Sequence, residues 1–240
     1  MTPVGGQLSG WSKPKKQRRL FCQYEATGSV MADPSFLIIA NGKWPPQSIW
    51  EPLTSQCSSI IACDGAAAQC LENGVEMNVI IGDMDSLSER DETQIRGGGK
   101  ATFIRKTGQE ENDLAKAMKW SIEQGAKSID VFGIEGGNFD HQFAAILSLC
   151  EVPFNTRIHT SQSIIQRIEN NLFVSDSIES NVSFSLFAVG PVEGVKVTGA
   201  HWPLTNHTLM PGTQGLHNKS TGERLEISCV SGDLLLFFDR

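Results

Sequence analysis

From residue 36 onward the chain alternates short apolar runs with stretches whose apolar residues recur at helical spacing. Residues 36–40, 59–63 and 79–81 are apolar runs bounded by Asn, Gly or Asp, the pattern of strands buried on both faces of a parallel sheet. Between them, residues 66–72 and 88–95 predict helices, the second stopped by Gly97, Gly98 and Gly99. A fourth strand is expected over 102–105. Thr107 and Glu110 then have capping-box spacing ahead of an apolar stripe of Leu114, Ala117, Met118 and Ile122. A fifth strand follows over 128–132. Asp140 is expected to cap a further helix whose buried face is Phe143, Ile146, Leu147 and Cys150.

After Pro153 the helical stripes stop. Short strand-like runs occupy 164–168, 172–174, 182–189, 194–197, 225–230 and 234–238, with Glu169-Asn170-Asn171, Gly190-Pro191 and Ser231-Gly232-Asp233 as turn separators. The fold class is therefore α/β: a mostly parallel-sheet domain over 31–160, followed by an antiparallel β-sandwich or barrel over 161–240.

Composition narrows the possibilities. The 240 residues, 40% of them hydrophobic, suffice for a substantial core, and a formal net charge of -7 argues against a general nucleic-acid binder. Six cysteines without a C-x-x-C pair, and five histidines that complete no zinc pattern, read as reduced thiols of a cytoplasmic protein. No run approaches the roughly 20 apolar residues of a membrane span. Residues 1–30 carry Lys13, Lys15, Lys16, Arg18 and Arg19 in a Gly- and Ser-rich setting without an apolar segment behind them. They read as a disordered extension rather than a secretory signal or a nucleic-acid or membrane tail, with Met31 an alternative start.

Candidate chemistry collects after the strands. Asp64-Gly65 follows the second, Gly82-Asp83-Met84-Asp85-Ser86 the third, Gln109-Glu110-Glu111-Asn112-Asp113 the fourth, and residues 133–141, with Gly136, Gly137, Asn138, Asp140 and His141, the fifth. Strand carboxyl ends carry the ligand crevice of an open α/β sheet. Asp83 and Asp85 would repel one another without a cation, and Asp113 opposite them would complete a magnesium-binding set. Their ordinary roles would be helix capping, and for Asp113 a surface ion pair with Lys116 worth under about 1 kcal/mol. Gly136-Gly137 permits close backbone approach to a phosphate, or is a plain tight turn.

In order and spacing these motifs resemble the thiamin pyrophosphokinase family. Asp64-Gly65-Ala66, Gly82 to Ser86, Gln109 to Lys116 and Gly136 to His141 are similar to its Asp-Gly-Gly, Gly-Asp-x-Asp-Ser, acidic and Gly-Gly-Arg-x-Asp-His segments. Residues 199–206 and 215–218 are similar to its Gly-x-Lys-Trp/Tyr-x-Leu and Ser-Asn segments. Three positions depart from the pattern: Asn138 stands for the usual arginine, His217 for the serine and Ala66 for the second glycine.

The resemblance implies transfer of a pyrophosphoryl group from ATP to the hydroxyl of thiamin, with AMP released. It makes Asp83, Asp85 and Asp113 the catalytic, magnesium-binding carboxylates, with either Asp85 or Asp113 accepting the alcohol proton. Asp64, Ser86, Gln109, Asn112, Lys116, Gly136, Gly137, Asn138 and Asp140 would face the nucleotide, and Arg105 or Lys106 would replace the missing cation. Trp202, His217 and Asn218 would hold thiamin, with Trp202 as the stacking face. The resemblance also implies a homodimer with thiamin between the α/β domain of one subunit and the β domain of the other, and no nucleic-acid or membrane partner. A metal-dependent phosphohydrolase, a sugar-nucleotide transferase or a non-catalytic ligand-binding protein are the alternative readings of Asp-x-Asp on this fold.

Overall fold

The computed structural model describes residues 33–98, 101–108, 110–168 and 172–240. The expected extension over 1–30, Gln109 and the Glu169-Asn170-Asn171 separator lie outside them. Strands β1 (Ser35–Ile39), β2 (Ser59–Cys63), β3 (Val79–Gly82), β4 (Thr102–Arg105), β5 (Ser128–Phe132) and β6 (Thr156–His159) pair in parallel in the order β4-β3-β2-β1-β5-β6. The order reverses between β1 and β5, so the loops leaving these two strands border the crevice where open α/β sheets receive ligands.

Helices cover both faces. Helices α1 (Gln47–Gln56), α2 (Ala67–Glu72) and α3 (Glu89–Gly98) lie on the face built from Leu37, Ile39, Ile80 and Phe132. Helices α4 (Asp113–Glu123) and α5 (Phe139–Glu151) cover Ile38, Ile61, Ile81 and Val131. Alternate residues of each strand thus feed opposite cores, which is why the runs are apolar throughout. No helix among the described residues is long and apolar enough to cross a membrane.

Several expectations need correction. Helix α1 was not foreseen, because Pro45, Pro46 and Pro52 argue against a helix; Pro46 instead precedes its first turn, and Trp50 and Leu53 pack against the core. Helix α4 is capped not by Thr107 but by Asn112, whose Oδ1 accepts the Ala115 N–H at 2.7 Å. Helix α5 starts behind Asn138, so Asp140 sits in its first turn rather than capping it. Its fully buried residues are Ala145, Ser148 and Leu149; Ile146 and Cys150 of the expected stripe are partly buried against the same core, whereas Phe143 is 54% exposed. Helix α3 also runs through Gly97 and Gly98, which were read as its stop.

The second half is antiparallel: β7 (Ser163–Arg167), β8 (Leu172–Ser175), β9 (Ser183–Thr198), β10 (Leu204–Leu209), β11 (Asn218–Lys219), β12 (Leu225–Ser228) and β13 (Ser231–Asp239). The expected turn at Gly190-Pro191 lies inside the 16-residue β9. With Gly190 at φ 90 and Gly194 at φ 65, the strand bends there instead of ending. Its first half pairs with β13 and its second with β10 and β12, enclosing Phe184, Leu186, Val195, Val197 and Ile227. Ser231-Gly232-Asp233 is likewise a register shift within β13 rather than a turn. Strands β6, β10 and β11 have no counterpart among the expected elements. Hydrogen bonding is continuous from β6 through β7 to β13, across the position expected to separate the halves.

Candidate active site

Asp64 anchors the site. It follows β2, is 3% exposed, and accepts the Gly65 N–H on Oδ1 at 2.6 Å and the Met84 N–H on Oδ2 at 2.9 Å. The second bond holds the Asp83-Met84-Asp85 loop against β2 and supports Met84 at φ 69, which costs a side-chain-bearing residue about 1–2 kcal/mol. Gly82 makes the approach possible, since a Cβ there would lie 2.6 Å from the Asp64 Cγ. Asp83 Oδ1 accepts the Asp85 N–H at 3.0 Å, closing an Asx turn that leaves Asp85 and Ser86 exposed.

The carboxylates are electrostatically coupled. Burial holds Asp64 above the ordinary carboxyl range, and the charges of Asp113 and Asp83 push it further, against the N–H groups of Gly65 and Met84. Asp83 is lowered, first by the Asp85 N–H and then by its hydrogen bond with Asp64 and the charges of Lys116 and Arg105. Neighbouring carboxyls pushed apart in this way make the cluster a candidate functional site. Asp113, at the first turn of α4, accepts Lys116 Nζ at 2.9 Å, and the Lys116 side chain is largely buried. Arg105 sits opposite Gly82 across the β3–β4 pair.

Among the described residues no three His, Cys, Asp or Glu side chains form a closed metal-binding group. The donors present still suit magnesium. They are hard carboxylate oxygens, and magnesium usually binds through one or two of them while keeping water and substrate phosphates. They fit a cation that arrives with a phosphate chain better than a protein cage.

The loop after β5 borders the switch point. Gly42 N–H donates to the Gly133 carbonyl and Lys43 N–H to the Glu135 carbonyl, each at 2.5 Å, tying it to the end of β1. Gly136 and Gly137, at φ 76 and 64, present open backbone, and a Cβ on Gly137 would meet nothing within 4 Å. Asn138 begins α5 without a side-chain cap, and Asp140 Oδ1 accepts the His141 N–H at 2.9 Å. Lys43, not singled out from the sequence, lies beside Gly136, with its Cβ 3.2 Å from where a Gly136 Cβ would be. Asn112, expected at the nucleotide, spends its side chain internally, capping α4 and donating to Ser148 Oγ on α5 at 3.0 Å.

Trp202 and Asn218 come together in the β half. Trp202 N–H donates to Asn218 Oδ1 at 3.2 Å and Asn218 Nδ2 donates to the Trp202 carbonyl at 2.7 Å, leaving the indole 60% exposed. His217, at φ 60, donates its N–H to Ser185 Oγ at 3.1 Å, beside this pair in the chain. Among the described residues no hydrogen bond or ion pair joins this group to the carboxylates.

Known proteins resemble the chain in sequence and fold. Residues 50–161 match the family described as thiamin pyrophosphokinase, catalytic domain. The thiamine pyrophosphokinase of Bacillus subtilis strain 168 is 25% identical over 182 residues, covering 73% of this chain and 85% of that protein. The crystal structure of thiamine pyrophosphokinase from Bacillus subtilis superposes with a TM-score of 0.74 at 24% identity, over 85% of this chain and 98% of that one. Thiamin pyrophosphokinase from Candida albicans shares the fold at a TM-score of 0.70 and 16% identity, over 86% and 89% of the two chains. With its acidic strand ends, its glycine loop and a catalytic-domain match over 50–161, the chain is similar in sequence and fold to thiamin pyrophosphokinases.

Proposed function

We propose that the protein transfers the pyrophosphoryl group of ATP to the hydroxyl of thiamin, giving thiamin diphosphate and AMP. The observation that carries this reading is the charge-coupled group of Asp64, Asp83 and Asp113 at the strand ends. The glycine loop at the switch point gives the phosphates an open backbone to lie against. Asp83, Asp85 and Asp113 would hold magnesium, which when bound neutralises charge on the phosphate chain.

The chain's own groups supply positioning and proton transfer. Asp64 keeps Asp83 and Asp85 at the loop tip through the Met84 N–H. Lys116 fixes Asp113 in direction, and Arg105 and Lys43 supply the cations that Asn138 does not. Asp85, exposed and without a side-chain hydrogen bond among the described residues, takes the proton of the attacking alcohol on a carboxylate oxygen. The β half binds thiamin, with the exposed Trp202 indole stacked on its cationic ring.

A second copy completes the site. Phe139 and Phe143 share one face of α5 at i and i+4 and are 80% and 54% exposed, a patch suited to burial in a homodimer. The test is incubation with ATP, magnesium and thiamin. AMP formation that depends on all three supports the proposal, and release of inorganic phosphate without AMP refutes it.

A further inference from the structure

Glu135 is an acid in the middle of a loop otherwise suited to phosphate, where a free carboxylate would repel the ligand. The structure turns that charge away. Glu135 Oε2 accepts the Ser161 N–H and Oε1 the Ser161 Oγ–H, each at 2.6 Å, in the turn between β6 and β7. Its carbonyl meanwhile accepts the Lys43 N–H at 2.5 Å. One residue therefore fastens the glycine loop on both sides, to the end of β1 by backbone and to the β6–β7 turn by side chain.

The turn is itself braced. Thr160 Oγ1 accepts the Ser163 N–H at 2.8 Å, Arg240 Nε donates to the Thr160 carbonyl at 3.2 Å, and the Arg240 N–H donates to the Gln162 carbonyl at 3.0 Å. The Arg240 guanidinium also donates to His159 Nδ1 at 2.8 Å, while His159 Nε2 lies 2.7 Å from Asp130 Oδ1. Arginine can only donate, so Nδ1 is the acceptor and the imidazole is neutral, with its proton on Nε2 toward Asp130. Arg157 completes the cluster with two bonds of 3.0 Å to the same carboxylate.

We infer that Glu135 and Ser161 are positioning residues for the nucleotide-phosphate loop, and that Arg240, held by His159 whose ring Asp130 orients, is the brace that keeps their clasp closed. This rests on the pyrophosphokinase reading for the identity of the ligand, not for the clasp itself. Neither Glu135 nor Ser161 touches a reacting atom; they act through the backbone of residues 133–138.

The full-length protein tests this through Glu135→Gln, Ser161→Ala, Arg240→Ala and the Glu135→Gln/Ser161→Ala double variant. Steady-state kinetics and amide hydrogen exchange of residues 133–138 are the readouts. The expected result is an ATP KM raised about tenfold in each clasp variant, since small misplacements of binding groups are costly, with thiamin KM and melting temperature little changed. The double variant should cost less than the sum of the two single ones, because both weaken the same clasp, Ser161→Ala by removing its Oγ–H bond while the N–H bond stays. Exchange in the loop should accelerate in all four variants. Unchanged ATP KM and unchanged exchange in an active wild-type background overturn the inference. Faster exchange in a wild-type background that makes no AMP refutes the pyrophosphokinase reading and leaves the clasp standing.

Discussion

At the residue scale, the site depends on few atoms. Half-buried Asp83 and exposed Asp85 lie at a loop tip outside the apolar cores, so Asp83→Asn and Asp85→Asn should each lower kcat by about 100-fold or more while leaving the melting temperature nearly unchanged. A thermal scan beside steady-state assays checks both halves. Gly82→Ala should lose activity for a different reason, because the added methyl displaces the Asp64 carboxyl and with it the Met84 bond. Its loss should be accompanied by a lower melting temperature. The acids of this site were legible in the sequence because they follow apolar runs. The role of Gly82 was not, since the carboxyl it makes room for lies 18 positions earlier and only the β2–β3 register brings them together. Glu135 and Ser161 were invisible for the same reason, their contact spanning 26 residues.

At the element scale, strands were read better than their connections. Residues 59–63 match β2, whose burial on both faces needs an unbroken apolar run, and 102–105 and 128–132 match β4 and β5, although β4 is an edge strand with Thr102 and Arg105 exposed and β5 carries Asp130. Prolines concealed α1, and the glycines of β9 and β13 were taken for turns because the same residues serve both turns and bulges. The face of α5 was only partly read, because Phe143 points outward while small Ala145 and Ser148 pack inward beside Leu149. Asn112 joins α4 to α5, so Asn112→Ala should cost about 1 kcal/mol or more through the lost cap and the lost bond to Ser148, read by chemical denaturation.

The β5–β6 face also titrates. Burial holds His159 below the ordinary imidazole value, Asp130 opposes this, and the charges of Arg240 and Arg157 reinforce it. The unfolded chain then binds the proton more readily, so stability should fall as pH drops below the unfolded value of about 6.5 toward the lower folded one. Burial alone would raise Asp130, but the hydrogen bond from His159 and the charge of Arg157 outweigh it and lower it. Its contribution is present above the unfolded value of about 3.9 and is lost as pH falls through the folded one. Denaturation midpoints measured from pH 8 to 4 should show the first decline in the wild type and lose it in His159→Gln.

At the scale of the whole molecule, one sheet carries both candidate sites: the carboxylates and glycine loop at the strand ends of the α/β half, and an exposed tryptophan held by Asn218 in the β half. Trp202→Ala should raise thiamin KM about tenfold, the equivalent of about 1.4 kcal/mol of stacking, without altering ATP KM. Sedimentation should read two chains per particle, and a charge at Phe139 should split it. The central claim is that the β- and γ-phosphoryl groups move together to thiamin. Turnover of thiamin, in the presence of magnesium, with ATP labelled at the γ-phosphorus tests it most directly. The account predicts the label in the terminal phosphate of thiamin diphosphate, with one AMP formed per product. Label recovered as inorganic phosphate, or ADP in place of AMP, would contradict it.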